Sequence, residues 1–234
     1  MRFFAQACSL LLIFAFSSFQ SKPGKWRDLF DGKSTKGWRG VYIDHFPDSG
    51  WVVKDNQLMH KASAGKESNS GGDIVTEEEF SNFELELEFK VAKGGNSGIK
   101  YFVVERQPKT SGSAIGCEFQ ILDDENHPDA KLGKNGNRKA GGLYDLIPAP
   151  ADKKFFGPEK WNKARIVVNG KHVEHYLNDI KTIEYDKGSE DFKQRILESK
   201  YNKFSFFGND NKGHILLQDH GDEVAFRKIR IKTL

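Results

Sequence analysis

The stretch FELELEFKV, residues 83–91, alternates without a break: Phe83, Leu85, Leu87, Phe89 and Val91 fall on one face, Glu84, Glu86, Glu88 and Lys90 on the other. Side chains of an extended chain point to opposite faces in turn, so this pattern predicts a strand with one face buried and one wet, as in an antiparallel sheet. Similar runs recur: WVVKDNQLMH from Trp51, GIKYFVV from Gly98, CEFQIL from Cys117, ARIVVNGKHVEHYL from Ala164, KTIEY from Lys181, KFSFF from Lys203, HILLQDH from His214 and VAFRKIRI from Val224. Asn169-Gly170, between apolar runs, predicts a hairpin turn, and Asn178-Asp179 a second. The best helix candidate is EDFKQRILES, short and placed in a connection, with Phe192 and Ile196 four apart. So many short strands between turn signals predict an all-β fold: a two-sheet antiparallel jelly-roll sandwich with at most one or two short helices in connections.

The N-terminal MRFFAQACSLLLIFAFSSFQS has one Arg, an apolar run and a small polar end. It predicts a secretory signal over residues 1–20, a single domain over 21–234 and a periplasmic or secreted location. The run is too short and weakly flanked for a stable membrane span, and no later segment approaches the necessary length. Loss of the leader removes Cys8 and leaves Cys117 as the single thiol, so the mature chain forms no internal disulfide and rests on its core. The parity of Cys117 with Phe119 and Ile121 places it in that core. The formal charge of +3 is small and its signs are interspersed, which implies neither nucleic acid nor a membrane surface as partner. A homodimer is compatible with the sequence.

One connection lacks periodicity. From Asp123 the chain reads DDENHPDAKLGKNGNRKAGG, and structureless segments of that length are usually functional or disordered. Asp123, Asp124, Glu125, His127 and Asp129 crowd beside the strand that carries Glu118 and Gln120, both opposite Phe119 and Ile121 and so facing a groove or solvent. Carboxylates and an imidazole on one rim could supply a general base, a general acid or ligands for one divalent cation. The spacing is not that of an EF-hand, and the chain has no HExxH, P-loop or nucleophile elbow. The tail HILLQDHGDEV is expected to place His214, Leu216, Gln218 and His220 on one strand face, with His220 at the turn as a ligand, a proton-transfer group or a hydrogen-bonded structural residue. His175 shares its face with Val173 and Leu177 and reads first as a core histidine. Trp51 and Trp161 are core or groove wall, and Arg138 and Lys139 either neutralise the acidic loop or orient an oxyanion.

With these residues in hand, the chain resembles the 3-keto-disaccharide hydrolase family, long known as a domain of unknown function. The resemblance is carried by GGNSGIKY, CEFQILDDENHPDA, GGLYDLIP, WNKARIVVNGKHVEHYLND and LLQDHG, in order between LFDGKSTKGW at Leu29 and VAFRKIRI ending at Ile231. Departures are GIKYFVV in place of an apolar run ending in Arg, HYLND in place of the usual Trp and Gly after the His, and a longer segment from Gly188 to Lys212.

The resemblance implies a concanavalin A-like jelly roll with a ligand groove, an oligosaccharide or glycoside substrate, and cleavage of 3-keto-glycosides. A ketone at C3 acidifies the C2 proton, so a base can remove it, the C1 oxygen can leave, and water can add back. That route needs a base, a partner for the enolate charge and an acid. The resemblance implies His127 or Asp124 as base, Glu118, Asp123 and His220 as acid or metal ligands, with Asp123 the first metal candidate, and Gln120, Arg138, Tyr144 and Gln218 as substrate contacts. Two rivals stand beside it: a two-carboxylate glycosidase using Glu118 and Asp123, and a sugar-binding module without catalysis.

Overall fold

Phe83–Val91 forms one nine-residue strand whose side chains are buried and half-buried in strict turn. In the computed structural model, which describes residues 24–63, 71–109 and 114–234, it is the sixth of thirteen strands among those residues. In chain order these are β1 (Arg27–Asp28), β2 (Trp38–Gly40), β3 (Trp51–Lys54), β4 (Gln57–His60), β5 (Ile74–Phe80), β6 (Phe83–Val91), β7 (Asn96–Val103), β8 (Cys117–Leu122), β9 (Asn162–Asn169), β10 (His172–Leu177), β11 (Ile180–Asp186), β12 (Gly213–Leu217) and β13 (Val224–Thr233). One α-helix, α1 (Glu190–Leu197), lies between β11 and β12, its first turn capped by Ser189. The predicted signal segment lies outside the described residues.

The strands form two antiparallel sheets. The larger runs β11-β10-β9-β6-β13-β4-β3 with β1 added on β13, and the smaller runs β2-β5-β12-β7-β8. Between them the apolar face of β6 meets β7 and β8: Phe83 packs edge-on to Tyr101 and Phe89 edge-on to Phe119, with ring centroids 6.4 Å apart in each pair. Each such side chain taken from water contributes about 1.5–3 kcal/mol, so this layer is the main stabilising term among the described residues, where Cys117 is a free thiol. Cys117 lies in it, and burial raises its thiol pKa to about 11. His175 is there too, bonded through Nε2 to the Tyr101 hydroxyl at 2.8 Å and driven down to about 3 by burial. On the wet face of β6, Glu84, Glu86 and Glu88 pair with Arg165 and Lys232, Arg230 and Lys163, and Arg227 and Lys228 from its neighbours β9 and β13.

The hairpin signals are realised. Leu177 pairs with Ile180, so Asn178-Asp179 is a two-residue loop with both φ positive, the turn whose twist matches its strands. Asn169 pairs with His172, which puts Gly170-Lys171 in the loop, one residue on from the expected dipeptide. WVVKDNQLMH is not one strand. It breaks at Asp55-Asn56, both left-handed, into β3 and β4. KFSFF is not a strand either: Lys200–Lys203 is a 3-10 turn capped by Ser199, after which Phe207 stacks on Tyr201 at 4.0 Å. Its aromatics at 204, 206 and 207 do not keep a period of two. β12 ends at Leu217, so Gln218 and His220 lie beyond the strand; within it Ile215 and Leu217 enter the core between the sheets while Leu216 packs with Val75 and Val103 on the other face, the alternation expected, and His214 Nδ1 faces the Thr76 carbonyl at 2.7 Å.

Candidate active site

The parity of β8 builds the site. Cys117, Phe119 and Ile121 enter the core, and Glu118 and Gln120 take the other face, as expected, but they are only 4% and 1% exposed. Two later segments cover them. Residues 141–144 run along the outer edge of β8, with Gly141 N–H donating to Gln120 O, Gln120 N–H to Gly142 O and Tyr144 N–H to Glu118 O. The 3-10 turn at Lys200–Lys203 supplies a further wall. Together they enclose a cavity of about 500 Å³, large enough for a sugar unit and its substituent. Glu118, Gln120, His127, Tyr144, Gln218 and His220 all line it, so six of the predicted site residues converge although they span more than 100 positions of sequence.

Glu118 faces β7 at Lys100, its register partner, and leans over Gly98. A Cβ at Gly98 would stand 2.1 Å from Glu118 Oε1, so the glycine makes the room the carboxylate occupies. Burial raises the pKa of Glu118, opposed by Lys100, Lys200 and His220. Desolvation therefore gives a carboxylate with more affinity for a proton than in water, as a base needs. Gln120 donates to Asn96 Oδ1 at 3.3 Å, while its own Oε1 and that of Gln218 are buried without a partner, as acceptors in a polar site would be. His127 caps the 3-10 turn Pro128–Lys131, its Nδ1 accepting from Asp129 N–H at 3.1 Å. Burial, then the neighbouring His220, lowers its pKa, so it is a neutral imidazole near pH 7.

Three predicted site residues are not on the cavity. Asp124 accepts from Ala140 N–H at 2.8 Å and pairs with Lys153 at 2.7 Å, so it closes the loop onto a neighbouring segment and is no base for a substrate in the cavity. Asp123 is fully buried and accepts from Gly94 N–H and from the backbone and side chain of Asn126, bonds that hold its pKa down against burial. It is the pin of the loop; its oxygens are spent, and it does not serve as a metal ligand. Arg138 lies between Asp129 and Asp145, 2.8 and 2.7 Å away, and braces Asp129 where Tyr144 donates its hydroxyl at 2.8 Å. Its role is support for the wall, not substrate contact. Of the tryptophans, Trp51 is core beside His60, and Trp161 lies under Lys90 and Arg227 on the larger sheet.

The sequence reading missed Asn96, Lys200, Tyr201, Lys203 and Phe204 as lining residues, and left Asp129 without a role. Lys200 Nζ sits 4.1 Å from the Tyr144 ring centroid. The extra length and aromatic-basic composition of residues 188–212 was the available signal. Asp222 was also missed. Two groups among the described residues bring three ligand atoms within 4.8 Å of one another: His127, His220 and Asp222 at the cavity, and His172, Glu174 and Glu184 on the outer sheet. In the second, Lys181 already pairs with both carboxylates. In the first, the donors suit a divalent transition metal.

Comparison with known proteins agrees with this geometry. A family model described as the 3-keto-alpha-glucoside-1,2-lyase-like domain matches residues 25–232. A 3-keto-disaccharide hydrolase of Bacteroides thetaiotaomicron is 41% identical over 227 residues, which cover 88% of this chain and 77% of that protein. A crystal structure from Parabacteroides distasonis described as a glycosyl hydrolase is 30% identical, with a TM-score of 0.78 over 90% of this chain and 94% of that one. The β-glucanase of Bacillus licheniformis, 11% identical, shares the fold with a TM-score of 0.51 over 92% of this chain and the whole of its own. Fold, walled cavity and a match along nearly the whole described length lead to one conclusion: the chain belongs to the 3-keto-alpha-glucoside-1,2-lyase-like family, a family of carbohydrate hydrolases.

Proposed function

We propose that this chain cleaves 3-keto-glycosides by removing the C2 proton, expelling the C1 substituent and hydrating the resulting enone. The observation that carries the reading is Glu118, a carboxylate of raised pKa on the floor of a sugar-sized cavity, in a chain 41% identical to a 3-keto-disaccharide hydrolase. Glu118 takes the C2 proton, the C2 electron pair moves into the C1–C2 bond as the C1–O bond breaks, and the proton passes to the departing oxygen. That transfer restores the carboxylate, which then takes a proton from water as the water oxygen bonds to C1 and delivers it to C2. Charge that builds on the C3 oxygen meets the imidazoles of His127 and His220 and the ammonium groups of Lys100 and Lys200 around the cavity. Gln120 and Gln218 present buried amides to the sugar hydroxyls. Export through the predicted leader belongs to this reading.

The two-carboxylate alternative loses its second member. Asp123 is locked in the loop, and Asp129, the other carboxylate on the cavity, is held by Arg138 and Tyr144. The test is incubation with a nitrophenyl 3-keto-glucoside and its unoxidised parent, following nitrophenol release and deuterium exchange at C2. Release and exchange from the keto sugar alone support the reading. Equal release from both favours a conventional glycosidase, and binding without release favours a sugar-binding module.

A further inference from the structure

We infer that His127, His220 and Asp222 bind one first-row divalent transition-metal ion at the cavity wall, with its remaining positions open to substrate oxygens. Each side chain offers one ligand atom within 4.8 Å of the other two, and all three are half-buried, so the ion would be sheltered yet reachable. Two imidazoles and one carboxylate form a donor set of borderline softness. It prefers Mn²⁺, Fe²⁺, Co²⁺ or Zn²⁺ to the hard ions Mg²⁺ and Ca²⁺, which take oxygen ligands.

The groups behind the donors are held in place. Asn96 N–H donates to Asp222 Oδ2 at 2.9 Å, which orients that carboxylate and leaves Oδ1 for coordination. The Asp222 carbonyl meets His60 Nδ1 at 3.1 Å, and Asp219 takes the Gly221 N–H at 2.8 Å. The turn that carries two of the three donors is thus tied from below, as metal ligands need. The outer-sheet trio of His172, Glu174 and Glu184 lacks this. It is largely exposed, its carboxylates pair with Lys181, and His172 turns Nδ1 to Asp186 at 2.9 Å.

Its role rests on the reaction proposed above. The ketone oxygen at C3 and a neighbouring hydroxyl form a chelating pair, and a cation there would polarise the carbonyl and stabilise the enolate. Binding also has a structural mark. His127 Nδ1 accepts from Asp129 N–H, which places the ring proton on Nε2. Ligation through Nε2 moves that proton to Nδ1 and breaks the capping bond, so the Asp129 amide reports occupancy.

The experiment is titration of the chelator-stripped full chain with Co²⁺, followed by calorimetry and by visible d–d absorption. Amide spectra on adding diamagnetic Zn²⁺ form a second readout that needs no variant. One ion per chain is expected, with affinity reduced by about 10–100-fold or more in His220→Ala and Asp222→Asn, unchanged in His172→Ala, and retained in Glu118→Gln. The Asp129 amide should shift on Zn²⁺ binding. No saturable binding, or binding lost in His172→Ala and kept in His220→Ala, overturns the site, as does an Asp129 amide indifferent to saturating Zn²⁺. Keto-glycoside turnover in protein shown by elemental analysis to be metal-free would overturn the ion and leave the function standing. A bound ion without turnover of any 3-keto-glycoside would do the reverse.

Discussion

His60 Nε2 lies 3.1 Å from Asp219 Oδ1, and neither side chain reaches solvent. The other ring nitrogen faces the Asp222 carbonyl, which only accepts, so Nδ1 carries a proton. Nε2 faces a carboxylate that already accepts from the Gly72 and Gly221 N–H groups. Both nitrogens therefore donate, and a buried ion pair joins the end of β4 to the turn that holds His220.

That pair should be expensive to break. Asp219→Asn leaves the charge of His60 buried without its partner, and a loss of about 3–5 kcal/mol is expected in denaturant unfolding at neutral pH. Although burial opposes it, the bond from His60 and those from Gly221 and Gly72 hold the Asp219 carboxyl below its ordinary 3.8. The contribution is then fully present above about pH 4 and is lost as pH falls through the lower folded-state value. Wild-type and variant stabilities should converge in acid; a constant gap from pH 7 to pH 2 would contradict the assignment.

Glu118→Gln keeps shape and removes charge. Turnover of a 3-keto-glucoside should fall by about a hundredfold to ten-thousandfold. The melting temperature at pH 7 should hold or rise, because a carboxylate whose pKa is raised by burial costs folding energy once ionised. In the wild type, the acid limb of kcat/KM should titrate above the ordinary 4.5 of a glutamate. An unchanged rate in the variant would remove Glu118 from the chemistry.

Gly98→Ala should cost activity more than stability. Its new Cβ meets the tip of Glu118, a side chain free to swing aside, and not the backbone. A drop in kcat with a small change in melting temperature is expected, and the same substitution in a Glu118→Ala background should be nearly neutral for folding. A large loss of stability in both backgrounds would show that the glycine serves the strand and not the carboxylate.

Arg138→Ala and Asp124→Asn separate wall from chemistry. Removing Arg138 strands Asp129 and Asp145 and should cost about 1.5–3 kcal/mol from lost charged hydrogen bonds. Asp124→Asn should leave kcat close to wild type at temperatures where the protein stays folded. A kcat loss of a hundredfold in Asp124→Asn, with Tm preserved, would return that residue to the role of base.

Cys117 should resist thiol reagents in the native state, since it is buried with a pKa near 11, and should react at once in denaturant. Fast labelling of folded protein would contradict the core seen between the sheets.

The strands were legible because their chemistry is periodic: β6 and β8 announce buried and wet faces residue by residue, and the same parity placed Glu118 and Gln120 at the site. What parity could not show is that the wet face of β8 is roofed. That depends on residues 141–144 and 200–204, which come from distant segments with no repeating pattern. The acidic loop was recognised by charge density, but charge density does not tell a pin from a ligand. Asp123 and Asp124 spend their oxygens on backbone N–H groups and Lys153, whereas His127, three residues on, faces the cavity. Asp222, two residues from His220, went unnoticed because the acidic loop that brings His127 to this pair lies far away in sequence.

The pairing of residues 141–144 along β8 also affects how molecules meet. An outermost strand offers open N–H and carbonyl groups on which another chain could build. Here the protein has occupied that margin with its own loop, and the strand that carries the proposed base is closed to recruitment by a neighbour. A lineage could vary the length of this loop to accept other sugars, but deleting it would bare the margin and invite fibrous self-association before any change in specificity could be selected.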